Sequence, residues 1–245
     1  MNKVIHYIWL GGKAKPRLVE KCIGSWKKYF PDWEIREWNE SNTEKYMTDF
    51  AKEALSVGKY AFAADSIRFS VLDEFGGLYF DTDVEVLKNF SELTEKYEAF
   101  SGFEGAHMAG AMCAPGLLLF ARDQGNTHIH HMVDVYSKMH FINPDGTYNQ
   151  YTIVQAFTEY LETKGLKCND TLQVVDGFAV FPHEYFCPTD YVWSMQDFTK
   201  NTCSIHHYAG SWLSPKDQRK IAMKKRIYKI FGPTLVQKMK NFLRK

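Results

Sequence analysis

Residues 4–10, Val-Ile-His-Tyr-Ile-Trp-Leu, form a nearly unbroken apolar run that stops at Gly11-Gly12. That is the pattern of a strand buried on both faces. Pro16 then opens a helix reaching about residue 30, Pro31-Asp32 turns the chain, and residues 33–38 alternate like a half-buried strand. The spacing predicts a helix from residue 43, broken near Gly58, and another over 62–74. The second turns Ile67, Phe69, Val71, Leu72 and Phe75 towards a core. Gly76-Gly77 supplies residues that tolerate left-handed backbone at its end. Residues 78–86 then read as the most strand-like segment of the chain.

The pattern weakens beyond this point. It predicts strands and glycine-rich loops over 100–120, a helix over 127–139, a turn at Asn143-Pro144-Asp145-Gly146 and a helix over 151–163. Short strands follow at 172–175 and 179–181, then loop to Trp212. Strands and helices alternate without repeats, which points to one α/β domain with a mostly parallel sheet. Ligands of such sheets sit beyond the strand C-termini, where Gly11-Gly12 and Asp81-Thr82-Asp83 both fall.

Composition adds three constraints. Of 245 residues, 45% are hydrophobic and 24% charged, which fits a folded chain with a sizeable core. Aromatic residues reach 16%, enough for a deep core and also for a pocket that stacks rings. The five cysteines are odd in number, scattered and without a C-x-x-C, so disulfides and zinc knots are not expected and a reducing compartment is. The start shows no basic leader or cleavage pattern, and no run reaches the roughly 18 apolar residues of a spanning helix. A cytoplasmic protein is expected.

A net charge of +1 conceals an asymmetry. Residues 214–245 carry eleven Lys or Arg against one acid, leaving nineteen bases and twenty-eight acids in residues 1–213. The body is too acidic to favour nucleic acid. In the tail, Ile227, Ile230, Phe231, Leu235, Met239 and Phe242 recur at helical spacing between the bases, with Gly232-Pro233 as a break. Two readings stand: a charged helix packed on the domain, or a basic amphipathic segment on the anionic inner face of the plasma membrane. The expected division is 1–213 for the α/β domain and 214–245 for the helical segment.

The candidate chemistry clusters around residues 60–83. Asp81 and Asp83 close an apolar strand, where two carboxylates separated by one residue can grip a divalent cation beside a diphosphate. A bare D-x-D arises by chance on the order of once in such a chain, and strand-end aspartates also make turn hydrogen bonds. Asp65 and Arg68 share one helix face at i, i+3, as a surface ion pair would and as two ligands of a polyhydroxylated molecule would. Trp9 ends the first strand as a core side chain or a stacking platform. Ser204-Ile-His206-His207-Tyr-Ala-Gly-Ser211-Trp212 adds two imidazoles, one of which is a candidate third ligand of a metal at Asp81 and Asp83.

Four motifs in this order, I-H-Y-I-W-L-G-G, A-A-D-S-I-R-F, G-G-L-Y-F-D-T-D and H-H-Y-A-G-S-W, resemble glycosyltransferase family 32. Its members are similar to yeast initiating mannosyltransferases, bacterial capsular polysaccharide transferases and the glucosyltransferase domains of clostridial toxins. The resemblance spans residues 4–212, and nothing is carried over for 98–149. It implies a GT-A fold that uses Mn²⁺ or Mg²⁺ and a nucleotide-diphosphate sugar, UDP-sugar favoured and GDP-sugar the alternative. It implies that Trp9, with Ile8 and Tyr79, holds the nucleotide, and that Asp65 and Arg68 hold the donor sugar. Asp81 would meet ribose, sugar or metal-bound water, Asp83 the metal, and His207, in preference to His206, the metal from the C-terminal side. Ser211 and Trp212 would meet the diphosphate. The implied reaction is hexose transfer with retention to a glycan or lipid-linked oligosaccharide, in surface polysaccharide synthesis. Phe80-Asp-Thr-Asp83 also resembles the opening of haloacid-dehalogenase phosphatases, but Val84-Glu85 follows where a small residue and Thr or Val are usual. A non-catalytic carbohydrate-binding module is the remaining alternative.

Overall fold

The computed structural model describes residues 1–104, 110–189 and 197–210, together with Arg219, Met223, Arg226 and Gly232. Ser211, Trp212 and nearly all of the 214–245 segment lie outside the described residues.

The first half alternates as expected: β1 (Val4–Ile8), α1 (Arg17–Tyr29), β2 (Glu34–Trp38), α2 (Asp49–Ser56), α3 (Tyr60–Phe75) and β3 (Gly77–Tyr79). The helix expected from residue 43 is instead a 3-10 turn at Glu44–Tyr46 followed by α2. The Thr48 hydroxyl accepts from the Ala51 N–H and restarts the helix there. Past β3 come β4 (Val84–Val86), α4 (Ser91–Lys96), β5 (Ala99–Glu104), β6 (Met112–Cys113), β7 (Leu119–Ala121) and α5 (Thr127–Ser137). The chain continues through α6 (Ile153–Thr163), β8 (Gln173–Val175), β9 (Phe178–Phe181), α7 (His183–Phe186) and β10 (Ser204–His206).

The main sheet has the order β2-β1-β3-β7-β5-β9-β8, with β6 on the end of β5. Strands β2, β1, β3, β5 and β9 run one way; β7, β8 and β6 run against them. Five C-termini therefore share one rim. Helices cover both faces. One face packs Phe50, Phe69, Leu72, Tyr136 and Phe157 from α2, α3, α5 and α6; the other packs Trp26 of α1 and Phe30 just after it with Phe80, Phe90, Phe100 and Phe186.

The expected strand over 78–86 is two strands in two sheets. β3 lies in the main sheet, whereas β4 pairs antiparallel with β10, in a segment expected to be loop. The apolar alternation serves both cores, and the D-T-D triplet is the turn between them, closed by the Val84 N–H on the Asp81 carbonyl at 3.1 Å. The α3–β3 junction is fixed by sterics: Gly77 has φ +94°, and a Cβ there would lie 2.5 Å from the Val4 carbonyl oxygen. Buried His6 braces it, taking a bond from Trp38 Nε1 at Nδ1 and donating from Nε2 to the Gly76 carbonyl. Burial pulls its pKa down to about 4, so it is a neutral strut.

Candidate functional site at the strand C-terminal rim

Trp9 follows β1, its N–H donating to the Trp38 carbonyl at 2.8 Å before Gly11-Gly12 turns the chain. Ile8 is buried and Trp9 partly exposed. The indole packs against the core at the edge of the α1 face, and its Nε1 donates to the Lys13 carbonyl at 2.7 Å, which ties the ring to the rim. The Tyr60 ring, at the start of α3, covers Gly11 so closely that a Cβ there would lie 3.0 Å from it.

The Asp65–Arg68 pair is not a surface pair. Their side chains are 15% and 3% exposed, and Arg68 Nη2 donates to Asp65 Oδ1 at 2.5 Å and to Asp81 Oδ1 at 3.1 Å. The Tyr79 hydroxyl also donates to Asp81 Oδ1 at 3.0 Å, and the guanidinium lies 4.6 Å from the Tyr79 ring centre. The pattern that makes α3 a core helix carries Arg68 inward beside Ile67 and Phe69. Gly116 completes the enclosure. Its carbonyl accepts from the Asp81 N–H at 3.0 Å, and a Cβ on it would lie 2.4 Å from Asp81 Oδ2 and 3.0 Å from Arg68 Nη1.

Two carboxyls share one guanidinium in this enclosure. Burial pushes the Asp65 pKa up to about 7, against the pull of Arg68 and with the charge of Asp81. Burial also raises Asp81, again opposed by Arg68. Burial works against the Arg68 charge, but Asp81, Tyr79 and Asp65 outweigh it and hold the cation. Arg68 Nε and Nη1 are buried without a hydrogen-bond partner. Buried donors left unmade are costly, and such a pair is a place where hydroxyls or phosphoryl oxygens would be bound.

Asp83 faces the small sheet. Its carbonyl accepts the His207 N–H at 3.0 Å, and its Oδ2 accepts the Ala209 N–H at 2.7 Å. His206 Nε2 lies 3.2 Å from Asp83 Oδ1, whereas His207 Nε2 lies 2.8 Å from Glu85 Oε2, which Lys21 also meets at 2.7 Å. Pairing His206 with Val84 decides this outcome, because adjacent strand residues face opposite ways. The structure thus brings His206 to the D-x-D and points His207 away from it, the reverse of the preference drawn from the H-Y-x-G pattern. Burial opposes both charges of the Asp83–His206 pair, yet each overcomes it in the other. Asp83 falls to about 2 and His206 rises to about 9.

A divalent cation fits these groups by chemistry. Asp83 stays anionic, Asp81 stands two residues away, and buried His206 Nδ1 has no partner. Among the described residues no group of three or more His, Cys, Asp or Glu is arranged to hold a metal alone. A cation bound by one or two carboxylates and a substrate's phosphates needs no such group.

Gly116, Glu104 and Tyr208 belong to this rim and were not expected from the sequence. Glu104 ends β5, and its Oε2 accepts from the Tyr208 hydroxyl at 3.0 Å. Its signal was present: Ala99-Phe-Ser-Gly-Phe-Glu104 is an apolar strand closed by a carboxylate, as Leu78-Tyr-Phe-Asp81 is.

The sequence model of the family described as capsular polysaccharide synthesis protein matches residues 1–184. No curated protein matches the chain. Among solved structures, PaToxG glycosyltransferase aligns with a TM-score of 0.50 at 18% identity, over 67% of this chain and 70% of its own. A glycosyltransferase involved in glycosylation of the major capsid of PBCV-1 gives 0.47 at 12%, over 89% and 98%. The galactosyltransferase LgtC, in complex with donor and acceptor sugar analogues, gives 0.40 at 14%, over 89% and 95%. The fold likeness rests on the first of these. Fold and family match agree with the expected GT-A architecture and the expected enzyme class, a glycosyltransferase.

Proposed function

Because the chain belongs to the capsular polysaccharide synthesis protein family, we propose that it transfers a hexose from a nucleotide-diphosphate sugar, UDP-linked in preference to GDP-linked, to a glycan or lipid-linked glycan. The observation that carries this reading is the enclosure of Asp65, Arg68 and Asp81, with two unpaired guanidinium nitrogens beside the Asp83 turn. Asp65 accepts from donor-sugar hydroxyls and Arg68 donates to the sugar or its phosphate. Trp9 stacks on the base, with Ile8 and Tyr79 lining the same rim.

The bond from the anomeric carbon to the diphosphate breaks and its electron pair leaves with the diphosphate. The acceptor oxygen bonds to that carbon on the same face, and its proton passes to the departing diphosphate. A bound Mn²⁺ or Mg²⁺, held by Asp83 with Asp81 and His206 beside it, would offset the charge gained by the leaving group. The proposed place of action is the cytoplasmic side of the membrane, with the basic 214–245 segment on anionic lipid. Sedimentation with anionic liposomes should recover the full chain and leave a 1–213 chain in the supernatant.

A thermal-shift panel tests the transferase reading. UDP- or GDP-hexoses should raise Tm only with Mn²⁺ present, and Asp83→Asn should lose that increment. Turnover of folded Asp83→Asn should fall on the order of 10²–10³-fold, the usual effect of removing one charge-stabilising group. Near-normal turnover would refute the assignment.

A further inference from the structure

We propose that Glu104 is the acceptor-side carboxyl of this site, binding a hydroxyl of the incoming acceptor sugar; the proposal rests on the transferase reading above. The strand order supplies the first argument. Trp9 follows β1, the D-x-D follows β3, and Glu104 ends β5, whose direction matches both, with only β7 between β3 and β5. The three groups therefore stand along one rim in the sequence base, diphosphate, and the position beyond it. An acceptor must reach the anomeric carbon from the side the nucleotide does not fill, and β5 provides that side.

The surroundings of Glu104 supply the second argument. It is close enough to Asp81 and His206 for both charges to act on it. It is nevertheless no part of the Asp65–Arg68–Asp81 enclosure or of the Asp83–His206 pair. Burial raises its proton affinity, and His206 and the Tyr208 hydroxyl oppose that rise. Backbone pairing of Glu104 with Met112 and the Tyr208 bond to Oε2 hold it in place.

Tyr208 acts as its positioning residue. It lies in the left-handed region at φ +50°, on the same turn whose Ala209 N–H meets Asp83. Its ring packs 4.2 Å from that of His206. One turn therefore ties the acceptor-side carboxyl to the D-x-D. Donor and acceptor positions are set by the same six residues of chain, from Ser204 to Ala209. A carboxyl beside a like-charged aspartate, unused by the donor, is the kind of group kept for a ligand.

The test compares transfer with hydrolysis in the full chain, using Mn²⁺ and the nucleotide hexose that gives the largest thermal shift. Methyl α- and β-hexopyranosides serve as acceptor probes and water competes with them. Glu104→Gln keeps the size of the side chain and its bond from Tyr208. It should lower the ratio of methyl disaccharide to free hexose about tenfold or more, as loss of a charge-assisted hydrogen bond implies. The acceptor KM should rise while the donor KM does not follow. Tyr208→Phe should move the same ratio in the same direction by less. A ratio within twofold of wild type in folded Glu104→Gln would overturn the proposal, as would a donor KM that rises with the acceptor KM. Absence of donor turnover by the wild type with every UDP- and GDP-hexose would instead overturn the transferase reading.

Discussion

Asp81 and Asp83 are two residues apart, and the fold sends their chemistry in opposite directions. Asp81 belongs to the main sheet, walled by Gly116 and sharing one guanidinium with Asp65; burial raises its proton affinity. Asp83 belongs to the turn into the small sheet, where His206 and the Ala209 N–H hold it as an anion down to about pH 2. The first carboxyl sits in an enclosure with one cation for two acids, ready to exchange hydrogen bonds with hydroxyls. The second is a fixed negative charge, suited to a cation. A D-x-D at a strand end is thus not one grip but two environments, separated because the strand breaks between them.

The largest expected effect comes from removing the cation of the first environment. Arg68→Leu leaves Asp65 and Asp81 buried together without a counter-charge, a change that typically costs about 3–5 kcal/mol. Urea unfolding at pH 7 should show a loss of that size, and the loss should shrink at pH 4, where both carboxyls take up protons. An equal loss at both pH values would mean that the guanidinium acts by packing and that the two environments do not differ electrostatically.

The second environment is sharpened by pH. His206 has its folded pKa raised above the free value of 6.5 to about 9, so its contribution is complete below pH 6.5 and disappears as pH climbs through 9. Asp83 contributes above pH 3.8 and loses its contribution as pH falls through about 2. In EDTA, stability should therefore fall between pH 6.5 and pH 9 by on the order of 3 kcal/mol, and His206→Gln should remove that slope. Asp65 tilts the curve the same way in a lower window: with its pKa raised to about 7, ionising it between pH 4 and pH 7 opposes folding. Asp65→Asn should flatten that lower section alone.

Much of the first environment could be read from the sequence, and little of the second. The β1–β3 wall follows from two apolar runs bounded by glycine pairs, one ending at Gly11-Gly12 and one starting after Gly76-Gly77, and α3 from its core-facing positions. The burial of Asp65 and Arg68 did not follow from their spacing, which a surface pair satisfies equally well; the family resemblance implied a donor-sugar role for them but not the enclosure that shares Arg68 between two carboxyls. The small sheet was illegible because β4 and β10 are three residues each and pair across more than a hundred positions. That pairing register is what selects His206 over His207, and no local pattern encodes it. Gly116 left no trace for a different reason. Ala114-Pro-Gly116 reads as any turn, and only the approach of Asp81 in space reveals that a hydrogen must stand where a methyl would.

Gly116→Ala is the finest probe of the comparison, because it reaches the first environment without removing a charge. Gly116 does not have a left-handed φ, so alanine is acceptable to the backbone and only the added methyl matters. That methyl would lie 2.4 Å from Asp81 Oδ2, inside any tolerable contact, and the atom in its way is the end of a short side chain. The carboxyl, not the backbone, should therefore give way. Rotation would weaken its contacts with Arg68 and the Tyr79 hydroxyl, now 3.1 and 3.0 Å. The stability loss should be about 1–3 kcal/mol, the range for overpacking a close-packed site. Turnover should fall further than the stability loss explains, while the Mn²⁺-dependent thermal shift governed by Asp83 should keep most of its size. If the variant lost that shift as completely as Asp83→Asn, the two carboxylates would be one unit after all.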